Sequence, residues 1–232
     1  MIKVVSFKIC PFVQRVTGML EAKNIPYELE YISLSDKPQW FIDISPTGQV
    51  PLLITQEEQV LFESDAIVEY LDDIAPPLER DITPEQRAID RAWAYQGAKH
   101  YLTQCSAQRS KDAEQLAERA EKLNKKAFAR AEKAIGDGLY FKGDIISNID
   151  IAWLPLLHRA SIIERHACYD FLANYPKVKK WQKALLETGL AEKSVPVDFV
   201  ETFTGFYLSD DTYLGRCETC TDKTACVNSA CC

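Results

Sequence analysis

Long apolar runs are absent from this sequence. The longest, such as Ile149 to Leu157, stop far short of the ~20 residues that a membrane-spanning helix needs. The opening MIKVVSFKICPF carries one early lysine and too short an apolar stretch for an export signal, so the cytoplasm is the expected compartment and stable membrane insertion is not expected. A basic surplus is missing too. The formal net charge is −7, and residues 1–76 carry five Lys/Arg against twelve Asp/Glu, which argues against a nucleic-acid partner. Histidine is scarce, and His100, His158 and His166 show no paired metal-ligand spacing. Cysteine is sparse until the end: Cys10, Cys105 and Cys168 fall in the first 208 residues, and five more crowd into the last sixteen. A secreted disulfide scaffold would spread its cysteines through a small fold. A cytosolic body with a distinct tail fits this distribution better.

What is present is 47% hydrophobic residues over 232 positions, enough for a real core in one or two domains. Lys3 to Ile9 is rich in strand formers. Pro11 to Lys23 then sets Phe12, Val16, Met19 and Leu20 at helical spacing, and Tyr27, Leu29 and Tyr31 alternate with Glu28 and Glu30 as a half-buried strand does. Pro51 to Ile54 and Val60 to Phe62 flank a polar turn and predict a hairpin, after which Ser64 opens a helix with Ile67, Val68 and Leu71 on one face. This is the βαβαββα order of an α/β thioredoxin-like unit over residues 1–76. Pro76-Pro77 and the charged residues to Thr83 predict a linker, 77–83. From 84 to 208 the chain predicts an all-α domain. Its expected helices are two long ones, Pro84 to Arg109 and Lys111 to Ile135, and shorter ones at 150–164, 176–187 and 190–194. Residues 209–232 are polar and Cys-rich and are expected not to pack into the core.

The chemistry centres on Cys10. It follows a strand and opens a helix, so the unpaired amides of the first turn point toward its sulfur and favour the reactive thiolate. Pro11 suits the first helical position, where its missing N–H costs nothing. Free cysteines are often inert core residues, but the strand–Cys-Pro–helix placement favours the reactive reading. Val13 stands where a dithiol oxidoreductase carries a second cysteine. The motif is therefore monothiol, and releasing a mixed disulfide at Cys10 requires an outside thiol.

Two further segments suit a peptide ligand. Ser45 to Pro51 leads into a strand, where a cis Val50–Pro51 bond would turn the Val50 backbone groups toward an extended chain. Glu63-Ser64 sits at a helix start, where a hydroxyl and free amides can take a carboxylate. Together these segments resemble the cytosolic glutathione transferases, the omega class in particular. Cys10-Pro-Phe, Lys37-Pro-Gln-Trp-Phe41, Val50-Pro51, Glu63-Ser64 and Tyr70-Leu-Asp72 match in order and spacing. Gly143 to Asp150, with a helix-capping Ser147 and Asp150, and Tyr175 to Trp181 extend the likeness over residues 1–208.

The resemblance implies glutathione as co-substrate and Cys10 as the residue that forms a mixed disulfide with it. It implies that Phe12 lines the site and that Lys37 pairs with the glycyl carboxylate. Val50, ahead of Pro51, would bond the cysteinyl backbone, and Glu63 with Ser64 would hold the γ-glutamyl end. Arg159 and Trp181 would border an acceptor pocket between the domains. The implied activity is glutathione-dependent reduction of dehydroascorbate, mixed disulfides or some arsenic species by a homodimer acting on a small or protein thiol or disulfide.

The tail departs from that pattern. Cys217, Cys220, Cys226, Cys231 and Cys232 could bind a soft metal or trivalent arsenic, relay redox equivalents, or belong to an appendage without a fixed partner. No metal is firmly implied. A terminal Cys-Cys also resembles a prenylation signal, but no polybasic run precedes it. The rival functions are a non-catalytic binding protein on the same fold, a membrane-associating chloride-channel relative, and a metal- or metalloid-binding stress protein acting through the tail.

Overall fold

The structure, a computed structural model, describes residues 1–216. β1 (Ile2–Ser6) lies inside a four-stranded sheet of order β2-β1-β3-β4. Its side chains alternate between two apolar layers: Ile2 and Val4 join the main core, and Val5 joins a small cluster with Ile32, Phe41 and Leu52. α1 (Pro11–Ala22) is the crossover connection that lets β2 (Tyr27–Tyr31) pair parallel to β1, with Val4 opposite Leu29. α2 (Gln39–Ile44) covers the opposite face by burying Phe41. β3 (Leu52–Ile54) and β4 (Val60–Phe62) form the expected antiparallel hairpin, and α3 (Ser64–Ile74) closes the unit with Ile67, Val68 and Leu71 buried.

The rest is helical; the first of the two long expected helices is broken, while the second runs on through a π turn. α4 (Pro84–Ala98) starts under a Thr83 cap and stops before His100, whose N–H turns back to Gly97. α5 (Tyr101–Gln108) then begins a new axis. α6 (Ala113–Leu123), capped by Asp112, runs through a π-helical turn at Asn124–Phe128 into α7 (Ala129–Ala134). α8 (Asn148–Ala167) is the central column, with fifteen of its twenty residues buried. Around it lie α9 (Pro176–Glu187), the short α10 (Leu190–Lys193) and α11 (Phe199–Tyr207). α11 was not anticipated from the sequence.

The start of the predicted tail also departs from expectation. Residues 209–216 pack: Leu214 is 1% exposed, the Tyr213 N–H donates to Ser110 O at 2.8 Å, and Lys111 donates to Asp211 O at 2.7 Å. The five clustered cysteines at 217, 220, 226, 231 and 232 lie outside the described residues, as do the metal, relay and prenylation readings that fall on them.

α1 is wedged between the sheet and α8, so even its polar residues Gln14, Arg15 and Thr17 are buried. Gln14 and Thr17 find partners across the seam, while Arg15 pairs with Asp65 of α3. The Gln14 side-chain amide meets His158 Nδ1 at 2.9 Å, and Thr17 Oγ1 donates to Ser194 O at 2.6 Å. Burial pushes His158 down to about 3, so this ring stays neutral and the seam gains no charge from it.

Candidate active site

Cys10 caps α1 from an extended backbone (φ −73°, ψ 122°), with Pro11 as the first helical residue. Its own N–H donates to Phe7 O at 2.9 Å, and the amides of Phe12 and Val13 are directed at its sulfur. The geometry foreseen from the sequence is therefore present. Its electrostatic consequence is not the one expected. Crowding by protein pushes the Cys10 thiol up, and the pull of the two amides and of the Arg159 guanidinium does not outweigh it.

A cleft of about 170 Å³ gathers Phe12, Val50, Pro51, Glu63 and Ser64. The Val50–Pro51 bond is cis, as anticipated. Glu63 reaches φ +65°, unusual for a residue with a side chain, and this bend places Ser64 as the first residue of α3 at the cleft wall. Lys37 is outside the lining: its Nζ donates to Gly48 O at 2.8 Å, against the 45–49 turn. Gly48 sits at φ +64°, where glycine is at ease, and its neighbours Thr47 and Gln49 line the cleft.

Sequence reading missed four lining residues: Thr47, Gln49, Asp65 and Leu102. Asp65 is held from behind by buried Arg15, 2.5 Å away, while more than half of its own side chain stays exposed. Leu102 comes from α5, in the other half of the chain. Tyr101 beside it packs edge-on to Phe12 at 5.1 Å between ring centroids, which fixes the α5 wall against the head of α1. Two signals could have found three of the four: Thr47 and Gln49 lie within the Ser45 to Pro51 segment, and Asp65 adjoins Glu63-Ser64.

Neither Arg159 nor Trp181 lines the cleft at the head of α1. Trp181 is 1% exposed, donates to Asp150 Oδ1 at 2.7 Å and packs on Phe141 and Trp153 in the helical core. Arg159 is fully buried beneath the active site, donating to Ile9 O at 3.2 Å, to Pro155 O at 3.0 Å and to Gln14 Oε1. Cys105, the other free thiol among the described residues, is half-buried one helical turn beyond Tyr101, beside the Tyr207 hydroxyl.

A cysteine at a helix head beside a cleft bounded by a cis-proline turn and a Glu-Ser helix start invites comparison with known proteins. Residues 9–74 match the glutathione S-transferase N-terminal domain and residues 95–188 its C-terminal domain. The chain is 30% identical over 215 residues to rat glutathione S-transferase omega-1, covering 90% of this chain and 87% of that one. It is 34% identical over 177 residues to glutathione S-transferase DHAR2 of Arabidopsis thaliana, covering 76% and 79%. Among solved structures, glutathione transferase Omega 3C from Trametes versicolor superposes with a TM-score of 0.71 at 27% identity, over 83% of this chain and 88% of that one. The chain belongs to the glutathione S-transferase family, with omega-class members among its relatives.

Proposed function

We propose that the protein is a glutathione-dependent thiol transferase and dehydroascorbate reductase working through Cys10. The observation that carries this reading is one cleft that holds Phe12, Val50, Glu63 and Ser64 at the head of the helix that Cys10 caps. In this scheme the Cys10 thiolate attacks the glutathionyl sulfur of a mixed disulfide, forming Cys10–S–S–glutathione and releasing the acceptor thiolate, which takes up a proton. A second glutathione thiolate then attacks that disulfide, leaving oxidised glutathione and the Cys10 thiolate. With Val13 in place of a second cysteine, the motif itself has no sulfur to resolve the intermediate. Glu63 and Ser64 would hold the γ-glutamyl end, the Val50 backbone the cysteinyl residue, and Lys37 the glycyl carboxylate from the rim.

The intact cleft weighs against a binding protein that has lost its ligand site. We place the enzyme in the cytoplasm. No helix among the described residues is long and apolar enough to cross a membrane. We further propose a homodimer. A second cavity, of about 470 Å³, runs between acidic residues of α3 (Glu69, Asp72) and basic residues of α4 (Arg87, Arg91), with exposed Tyr95 beside it. Such a face can pair with its own copy about a two-fold axis.

The test is an activity panel with glutathione against hydroxyethyl disulfide, dehydroascorbate and an aromatic chloride, on the wild type and Cys10→Ser. Turnover of the first two and its loss in Cys10→Ser is the expected result. A Cys10→Ser protein with near-normal reductase rates would sink the proposal.

A further inference from the structure

Arg159 is a buried cation with no anion. Its guanidinium is fully shielded from solvent and stays protonated in a protein interior. Three hydrogen bonds go to neutral acceptors: the carbonyls of Ile9 and Pro155, and the side-chain oxygen of Gln14. Nε has no partner, and the rings of Phe199 and Phe203 lie 5.3 and 6.0 Å from the guanidinium carbon. No carboxylate among the described residues pairs with it. A buried charge left in this way is costly unless the protein uses it.

The groups around it that can become anions are few. α5 contributes Tyr101 and Cys105, α11 contributes Tyr207, and the head of α1 contributes Cys10. Burial pushes both tyrosines far up, which removes them as anions near neutrality. His158, next to Arg159 on α8, is neutral, and Arg15 on α1 already has Asp65. Of the two thiols, Cys105 is engaged with the Tyr207 hydroxyl, whereas Cys10 receives the backbone amides of Phe12 and Val13. Arg159 is moreover anchored to the carbonyl of Ile9, the residue directly before Cys10.

We propose that Arg159 is the counter-charge of the Cys10 thiolate, a positioning residue whose unspent positive charge is compensated when that sulfur ionises. The inference rests on the reading of Cys10 as the working nucleophile. Arg159 acts twice in the cycle. It favours the thiolate that attacks the glutathionyl disulfide, and it favours the same thiolate as leaving group when the second glutathione attacks the Cys10 mixed disulfide. Between these events the sulfur is neutral and the guanidinium returns to its neutral acceptors.

The test follows iodoacetamide alkylation of Cys10 against pH, read by mass on the Cys10 peptide so that Cys105 is scored separately. Arg159→Gln should displace the Cys10 midpoint to higher pH, slowing alkylation about tenfold at neutral pH, and Arg159→Lys should recover part of the rate. A folded Arg159→Gln protein with an unmoved midpoint overturns the proposal. If that variant does not fold, the wild type decides. The Arg159 side-chain ¹⁵N resonances should shift in step with Cys10 ionisation and stay still in Cys10→Ser, and resonances blind to that titration overturn the proposal equally. Full reductase activity in Cys10→Ser would instead show that the reading of Cys10 beneath the proposal had failed.

Discussion

At the scale of residues, the same burial that shapes the site also sets its acid–base behaviour. Cys10 is raised above the ordinary thiol range by crowding, despite two helix amides and a nearby guanidinium. An unfolded cysteine ionises near pH ~8.5. Below that, both states hold the proton and Cys10 adds no pH dependence. As pH rises past it, the unfolded chain releases a proton that the folded chain still holds, so stability falls with pH until the folded thiol ionises too. Urea unfolding of the wild type should therefore lose more stability than Cys10→Ser between pH 7 and pH ~9.5. Equal losses would mean that burial does not raise this thiol. Much of the site was legible at this scale because chain neighbours share it: Cys10 with Pro11 and Phe12, Val50 with Pro51, Glu63 with Ser64. Leu102 was not legible, since it reaches the cleft from a helix ninety residues away. Arg159 was misread as a pocket wall because charged side chains seldom sit fully inside, and only packing reveals one that does.

Among the elements, the strands and helices of the first unit were read in the right chain order, because each announces itself within a few residues. The first long helix was not. Composition favours helix from Pro84 to Ile135, yet the chain breaks after α4 and passes through a π turn after α6, outcomes of packing that propensity does not encode. α1 also disguised itself: Gln14, Arg15 and Thr17 look like a solvent face, but all three are buried, Gln14 and Thr17 bonding the helical domain and Arg15 pairing with Asp65 of α3. α8 depends on a single carboxylate. Asp150 accepts from the Ser147 N–H at 2.8 Å and hydroxyl at 2.7 Å, from the Phe141 N–H at 3.0 Å and from Trp181 Nε1 at 2.7 Å. Asp150→Ala would leave those donors without their acceptor inside the protein. A loss of about 3 kcal/mol or more is expected in chemical denaturation, because each orphaned buried group carries its own desolvation penalty. A loss under ~1 kcal/mol would show that the surrounding structure finds other acceptors.

For the whole molecule, the question is where the folded body ends. The sequence placed that end at Leu208, because the following residues turn polar and carry few large apolar side chains. The structure carries the body further. Leu214 is buried at 1%, Thr212 Oγ1 donates to Tyr207 O at 2.9 Å, and the Tyr213 amide is bonded to the end of α5. These contacts hold α11, and α11 sets Phe199 and Phe203 against Arg159 and Tyr207 beside Cys105. Residues 209–216 are therefore linked to Arg159 and Cys105 through one intermediate helix. A protein ending at Leu208 should be less stable than one ending at Arg216 by about 2 kcal/mol, the scale of one fully buried leucine, and its Cys10 should be alkylated at a different rate as α11 loosens over Arg159. Comparing those two truncations isolates residues 209–216 from everything after them. If both unfold at the same denaturant concentration and react alike with iodoacetamide, the segment is only an appendage and α11 stands without it.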